Sequence, residues 1–271
     1  MLRAAGVEPG PREWVEPGSA CDLPVGRHAE AARRALDKLI DGADLVVQPA
    51  ARRRKKLPAA DMETTMIAVE CIDELADYAG VRDEVAAVTE QAMRGEIEFE
   101  AALDARVALL RGLDAAVIDR CREERVRLMP GAHTLVRTMR AHGAWCLLVS
   151  GGFSRFAGPV GATIGFDQVA ANHLVISVGR LTGAVEKPIV GAEGKKNAML
   201  DAAAARGVEV AEILAVGDGA NDMPMLQAAG LGIAYRAKPA VAAAADARIE
   251  KNDLTALLFA QGYARREWVE G

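Results

Sequence analysis

The chain has 271 residues, 51 % of them hydrophobic, and a formal net charge of −5. That length can bury one full core plus a smaller appendage, and the acidic balance argues against nucleic acid as a partner. No run of about 18 apolar residues occurs, which excludes a membrane helix, and the N-terminus lacks the apolar core of a signal peptide. Cys21, Cys71, Cys121 and Cys146 share no metal or redox spacing, so reduced thiols in the cytoplasm are expected, with Cys71 and Cys146 as packing residues.

In chain order, Pro and Gly crowd the first 26 positions, a helical pattern runs from Ala29 to Ile40, and Leu45-Val46-Val47 could form one strand. Residues 1–56 therefore read as a short N-terminal segment whose fold the sequence leaves open. It closes on Arg52-Arg53-Arg54-Lys55-Lys56, expected to be a solvated basic linker because no aromatics interleave the charges.

Leu57 to Ala60 is a short apolar run. Pro58 is tolerable there only at a strand's first positions or on an unpaired side. The run delivers Asp61-Met62-Glu63-Thr64-Thr65 to the C-terminal end of a strand, the edge where open parallel α/β sheets bind ligands. Alternation along extended chain puts Asp61 and Glu63 on the same side, so one could attack phosphorus as a carboxylate nucleophile while the other handles a proton. The plainer reading is a pair of acids capping a helix that begins near Met66.

From residue 76 to residue 128 the pattern is helical. Val85, Val88 and Ala92, then Phe99, Leu103, Val107 and Leu110, recur at three and four residues, as on amphipathic helices. This reads as a helical cap inserted in the chain, able to close over a site and exclude water, or as an ordinary helical subdomain. After Met129, helices and strands alternate as βα units through Tyr263, which implies a mostly parallel sheet.

Three further motifs follow. The apolar run Ala144 to Val149 ends in Ser150-Gly151-Gly152, small residues that let backbone approach an anion while a hydroxyl donates to it; a plain strand-to-helix turn is the alternative. Lys195 and Lys196 fall in an expected first helical turn, against the helix dipole, so either one of them is held by something negative or the two form a solvated surface pair, the more frequent meaning of adjacent lysines. Ile213 to Val216 reads as a buried strand delivering Gly217-Asp218-Gly219-Ala220-Asn221-Asp222. Mg²⁺ needs only one or two protein carboxylates beside waters and phosphate oxygens, so Asp61 with Asp218 suffices. GDGAND completes neither a calcium loop nor a dinucleotide fingerprint. His28, His133, His142 and His173 share no ligand spacing and are read as surface or structural.

Four elements in this order resemble the haloacid dehalogenase superfamily, and the wording of residues 57 to 263 is similar to its bacterial phosphoserine phosphatase branch. The matching segments include residues 60 to 80, 92 to 113, 129 to 143, 147 to 157, 188 to 196 and 215 to 239. The resemblance implies an α/β fold: a Rossmann-like parallel-sheet core (57–75 and 129–271), the cap at 76–128, and a short N-terminal α+β segment. It implies Mg²⁺-dependent hydrolysis of O-phospho-L-serine through an aspartyl-phosphate, as the last step of serine biosynthesis. Asp61 would be the nucleophile and Glu63 the acid and base. Ser150, Gly151, Lys195 and Asn221 would hold the phosphoryl oxygens. Asp61, Asp218 and the main-chain carbonyl of Glu63 would bind the metal, with Asp222 behind them. Glu70 would meet the substrate's ammonium and Arg106 its carboxylate, with Met93 and Phe99 lining the lid; bidentate arginine suits a carboxylate. The expected partner is a small phosphoamino acid, with neither nucleic acid nor membrane, and the chain is a monomer or homodimer.

Three positions depart from that pattern. Glu63 stands where the branch usually has Asp, Thr64 where it usually has Ser, and Pro58 falls in a strand that is usually wholly apolar. The extra methylene of Glu63 moves its carboxyl by about 1.5 Å, and misplacement of about 1 Å at a reacting centre can cost around a hundredfold in rate. Phosphotransferases of the same branch resemble this chain in an Asp-x-Glu pair. Transfer of the phosphoryl group to another hydroxyl is thus one alternative, and a ligand-binding relative with turnover impaired at Glu63 is another.

Overall fold

The computed structural model describes residue 2, residues 6–37 and residues 42–270. Strands β1 (Glu13–Glu16) and β2 (Ala20–Asp22) form an antiparallel hairpin, followed by helix α1 (Ala29–Asp37). The helical pattern expected to reach Ile40 is thus seen to Asp37, and its last three positions lie outside the described residues. Leu45-Val46-Val47 is not a strand; Leu45 makes a single bridge to Arg248.

Strand β3 (Leu57–Ala60) opens the main sheet. Helices α2 (Cys71–Ala79), α3 (Arg82–Met93), α4 (Phe99–Leu109) and α5 (Ala116–Arg125) come next. The chain returns through α6 (Ala132–Ala141), β4 (Leu147–Phe153), α7 (Ser154–Ile164) and β5 (Gln168–Asn172). After them come β6 (Leu174–Ser177), β7 (Arg180–Val185), α8 (Ala192–Arg206), β8 (Ile213–Gly217) and α9 (Met223–Ala228). The last elements are β9 (Leu231–Tyr235), α10 (Pro239–Ala244), β10 (Ala247–Ile249) and α11 (Ala256–Ala260).

The described residues form a six-stranded, wholly parallel sheet in the order β10-β9-β8-β3-β4-β5. Strand residues alternate between its two faces. Leu57, Ala59, Leu147, Val149, Ile213 and Ala215 pack with Met199, Met225, Leu226 and Val241 of α8, α9 and α10. Ala60, Leu148, Leu214 and Val216 pack on the other side with Leu135, Met139, Phe156, Leu257 and Leu258. Burial on both faces is why these strands read as continuous apolar runs. Pro58 is the second residue of a central strand, tolerated because the β4 ladder begins only at Ala59.

Two sequence expectations are corrected here. The run after Met129 is not an unbroken series of βα units, because β6 and β7 form an antiparallel hairpin outside the sheet. It bonds to the link between α4 and α5 through Gly112 N–H to Leu181 O at 2.8 Å and Leu181 N–H to Leu113 O at 2.9 Å. A distant stretch of chain therefore braces the helical layer α2–α5.

The basic run is also not a free, solvated linker. Arg53 forks onto Asp22 and donates to the carbonyls of Ala260 at 2.7 Å and Phe259 at 3.1 Å. Arg54 reaches Glu267 at 2.8 Å and lies over the Tyr263 ring, Lys55 is buried on the Ala211 carbonyl, and Arg52 and Lys56 pair with Glu209 and Glu212. The run ties the N-terminal hairpin and the C-terminal segment to the sheet. Among the described residues no helix is long and apolar enough to cross a membrane.

Candidate active site

Register builds the site. Ala60 is level with Val216 on one side and Leu148 on the other. Residues just beyond them, Asp61, Gly217-Asp218 and Ser150-Gly151, therefore meet at one sheet edge. Asp61 N–H still donates to Val216 O at 2.9 Å, so the nucleophile candidate is held by the ladder itself.

Lys195 lies in the first turn of α8 and is 1 % exposed. Its ammonium donates to Asp61 Oδ1 at 2.6 Å and to Asp222 Oδ1 at 2.8 Å. Lys195 is the residue the resemblance implied, and its neighbour Lys196 makes a surface pair with Glu193. Burial alone would lower the Lys195 pKa, but Asp222 and Asp61 outweigh it and hold the ammonium above the ordinary lysine range. Burial, then the Asp222 charge, pushes the Asp61 carboxyl well up, against the pull of Lys195.

Asp218 is half-buried at the end of β8. It accepts hydrogen bonds from the hydroxyls of Thr64 and of Thr65, the latter at 2.8 Å. Burial raises its pKa and the two hydroxyls oppose the rise. Asp222 is fully buried and spends its second oxygen on the amides of Asp218 at 3.1 Å and Gly219 at 3.0 Å. This turn needs glycine at 217, where a Cβ would lie 2.5 Å from the Asp222 carboxyl. Asp61, Asp218 and Asp222 can each bring an oxygen within 4.8 Å of the others. Three carboxylates against one ammonium leave an excess of negative charge, and a hard divalent cation with oxygen ligands fits that donor set.

Ser150-Gly151-Gly152 lie inside β4 rather than in a turn after it. Ser150 Oγ accepts from Gly152 N–H at 2.9 Å. The amide of Asn221 points beside Gly151: a Cβ there would be 3.5 Å from Nδ2. Phe99, first residue of α4, lies over Gly151 of β4 and Gly191 before α8, its ring 3.3 Å from the Cβ position of Gly151 and 3.2 Å from that of Gly191.

Glu63 does not cap a helix at Met66, because α2 begins five residues later. Its Oε1 instead accepts the Cys71 N–H at 2.8 Å, so part of the capping reading survives at a different helix. Burial pushes the Glu63 carboxyl up, opposed by the Cys71 bonds and by the positive charges of Lys195 and Arg106. Glu70, the residue before α2, is solvent-accessible yet crowded by protein. That desolvation, then Glu63, Asp73 and Asp218, pushes its carboxyl up to about 8, with Arg106 opposing. Arg106 is half-buried on α4 and donates from Nε to Ala102 O at 3.3 Å and from a terminal nitrogen to Thr89 at 3.5 Å. Met93, by contrast, ends α3 with 68 % of its surface exposed and is not packed against this cluster.

Sequence reasoning missed three participants. Thr65 fixes Asp218. Cys71 holds Glu63. Asn172 is 2 % exposed and ties the loop together, donating to Gly151 O at 2.8 Å and accepting from Val190 N–H at 2.7 Å. Asn172 ends β5 after three apolar residues, Val169 to Ala171, which is the signal that could have marked it.

The chain matches the family model of haloacid dehalogenase-like hydrolases over residues 59–227. It is 44 % identical over 256 residues to phosphoserine phosphatase SerB2 of Mycobacterium tuberculosis, a match covering 94 % of this chain and 61 % of that protein. The phosphoserine phosphatase of Streptomyces coelicolor is likewise 44 % identical, over 93 % of this chain and 62 % of that protein. The chain thus spans about three fifths of the length of these relatives. The solved structure of a phospho-aspartyl intermediate analogue of phosphoserine phosphatase superposes with a TM-score of 0.70 at 36 % identity, covering 76 % of this chain and 98 % of that one.

Proposed function

The chain belongs to the family of haloacid dehalogenase-like hydrolases, and within that family we propose that it hydrolyses O-phospho-L-serine to serine and phosphate. The observation that carries this reading is the Asp61–Lys195–Asp222 pairing at the sheet edge.

Lys195 grips Oδ1 of Asp61 and fixes the carboxylate's rotation, so Oδ2 is the attacking atom. As the new Asp61 O–P bond forms, the bond between phosphorus and the serine oxygen breaks, and that oxygen takes the proton of Glu63. A carboxyl raised by burial is suited to arrive protonated. Water then attacks the aspartyl-phosphate, Glu63 takes the water's proton, and Asp61 is regenerated with release of phosphate. Ser150, Gly151, Lys195 and Asn221 surround the phosphoryl group. The ammonium and carboxylate of the substrate are met by Glu70 and Arg106, a charge pairing that favours a phosphoamino acid over a bare phosphate ester. Asp61, Asp218 and the Glu63 carbonyl would hold Mg²⁺. Bound there, Mg²⁺ would neutralise phosphoryl oxygens beside the acids.

The test is phosphate release from O-phospho-L-serine with Mg²⁺, run beside Asp61→Asn. Turnover that disappears in the variant supports the reading, and turnover that persists overturns it. The Asp-x-Glu pair also suits transfer to another hydroxyl; product formation that depends on an added alcohol acceptor would favour that reaction.

A further inference from the structure

The second acid of the site is longer by one methylene than the pattern the chain otherwise follows, and its surroundings match that length. Glu63 Oε1 accepts the Cys71 N–H at 2.8 Å. Cys71 opens the nine-residue helix α2, so its amide has no partner within the helix and its end of the dipole favours a negative group. The same carboxylate crowds the Cα of Gly152. A Cβ at that position would fall 2.5 Å from Oε2, 2.8 Å from Cδ and 2.9 Å from Oε1. Gly152 has no positive φ that would call for glycine on backbone grounds. What it leaves room for is the Glu63 carboxyl.

We infer that Gly152 and Cys71 form a seat built for glutamate at position 63, and that both are positioning residues for the reaction proposed above. The inference rests on that reading for its kinetic consequence. An aspartate at 63 would withdraw its carboxyl from the Cys71 amide and leave a gap over Gly152. Glu63 is therefore the working length of the acid in this chain, and the departure from the family pattern is compensated by contacts on α2 and β4.

The experiment is a double-mutant cycle between positions 63 and 152, with kcat, KM and Tm measured for each member. Gly152→Ala is expected to lower kcat about a hundredfold with Glu63 present, as displacing a reacting group by about 1 Å does, while KM moves less than about twofold. In the Glu63→Asp background the same change is expected to cost at least about tenfold less, since the atoms it strikes are gone. Glu63→Asp alone is expected to lower kcat. Equal losses from Gly152→Ala in both backgrounds, or a kcat raised by Glu63→Asp, would overturn the inference.

If Gly152→Ala fails to fold, Cys71 decides. Cys71→Pro deletes the amide that bonds Glu63 at the first helical position, where proline is tolerated, and should lower kcat about ten- to a hundredfold with KM nearly unchanged, the value of one hydrogen bond to a charged group, while Cys71→Ala, which keeps the amide, should cost less. Indifference of kcat to Cys71→Pro would overturn the seat. A parent chain that does not turn over phosphoserine refutes the functional reading instead. The Tm cycle then decides the seat: Gly152→Ala must lower Tm more with Glu63 than with Asp at that position, and equal falls overturn it.

Discussion

Replacing Lys195 by methionine removes the single ammonium that two buried carboxylates share. Lys195 is 1 % exposed, and the side chains of Asp61 and Asp222 are 8 % and 0 % exposed, so neither acid can turn to water. Breaking a buried pair by deleting one partner costs about 3–5 kcal/mol. For a chain of this size that corresponds to a Tm lowered by about 10 °C. The loss should depend on pH in a defined direction. Burial already raises the Asp61 carboxyl, and without the ammonium it rises further above its unfolded value near pH 4. A carboxyl with a raised folded pKa stabilises the fold while it is protonated and loses that contribution as pH climbs through the folded value. The Lys195→Met deficit must therefore be larger at pH 8 than at pH 5. Thermal melts of chelator-treated protein at both pH values check it. A deficit equal at the two, or none at pH 8, would refute the claim that two charged carboxylates lean on one lysine.

Thr65→Val keeps the shape of a fully buried residue and deletes a hydroxyl that orients Asp218. Mg²⁺ affinity measured by titration calorimetry should fall about ten- to a hundredfold, as it does when an outer partner of a metal ligand is lost; an unchanged affinity would remove Thr65 from the site. Arg106→Ala should raise KM for phosphoserine at least about thirtyfold, the cost of losing a charged partner, but leave KM for p-nitrophenyl phosphate nearly unchanged. Equal rises for both would mean that Arg106 does not read the amino-acid end. Arg53→Ala should cost about 2 kcal/mol, the worth of charged hydrogen bonds to Asp22 and two carbonyls. Limited proteolysis should then cut the N-terminal hairpin first, and a cleavage pattern identical to the parent's would count against the strap.

Much of the site was readable in the sequence because its signals are local. A strand's C-terminal end is marked by the residue that ends its apolar run, so Asp61 and Asp218 could each be placed at an edge before any fold was known, whereas Ser150 falls inside β4. The two adjacent lysines carried a contradiction, a cation in a first helical turn, that a negative partner would resolve. The structure supplies Asp61 and Asp222. The helical layer was legible from the spacing of Val85, Phe99, Leu103 and Val107. Its bracing hairpin was not, because β6 and β7 are short and lie 60 or more residues from the α4–α5 link they bond to.

The basic run shows the opposite limit. Five consecutive cations have the composition of a solvated linker, and composition says nothing about whether acids and carbonyls from remote segments will meet them. Asp22, Glu209, Glu267 and the carbonyls of Phe259 and Ala260 do so only after the chain ends have packed on the sheet. Glu63 is the sharper instance. By sequence alone its extra methylene looks like a displacement, since covalent length is all that a residue letter conveys. By itself the sequence determined the α/β class and the acids at two strand ends, and narrowed the answering cation to Lys195 or Lys196, because period, charge and chain length are local properties. Only the tertiary structure decided where the Glu63 carboxylate rests, because the amide of Cys71 and the bare Cα of Gly152 belong to a helix and a strand that meet it through folding.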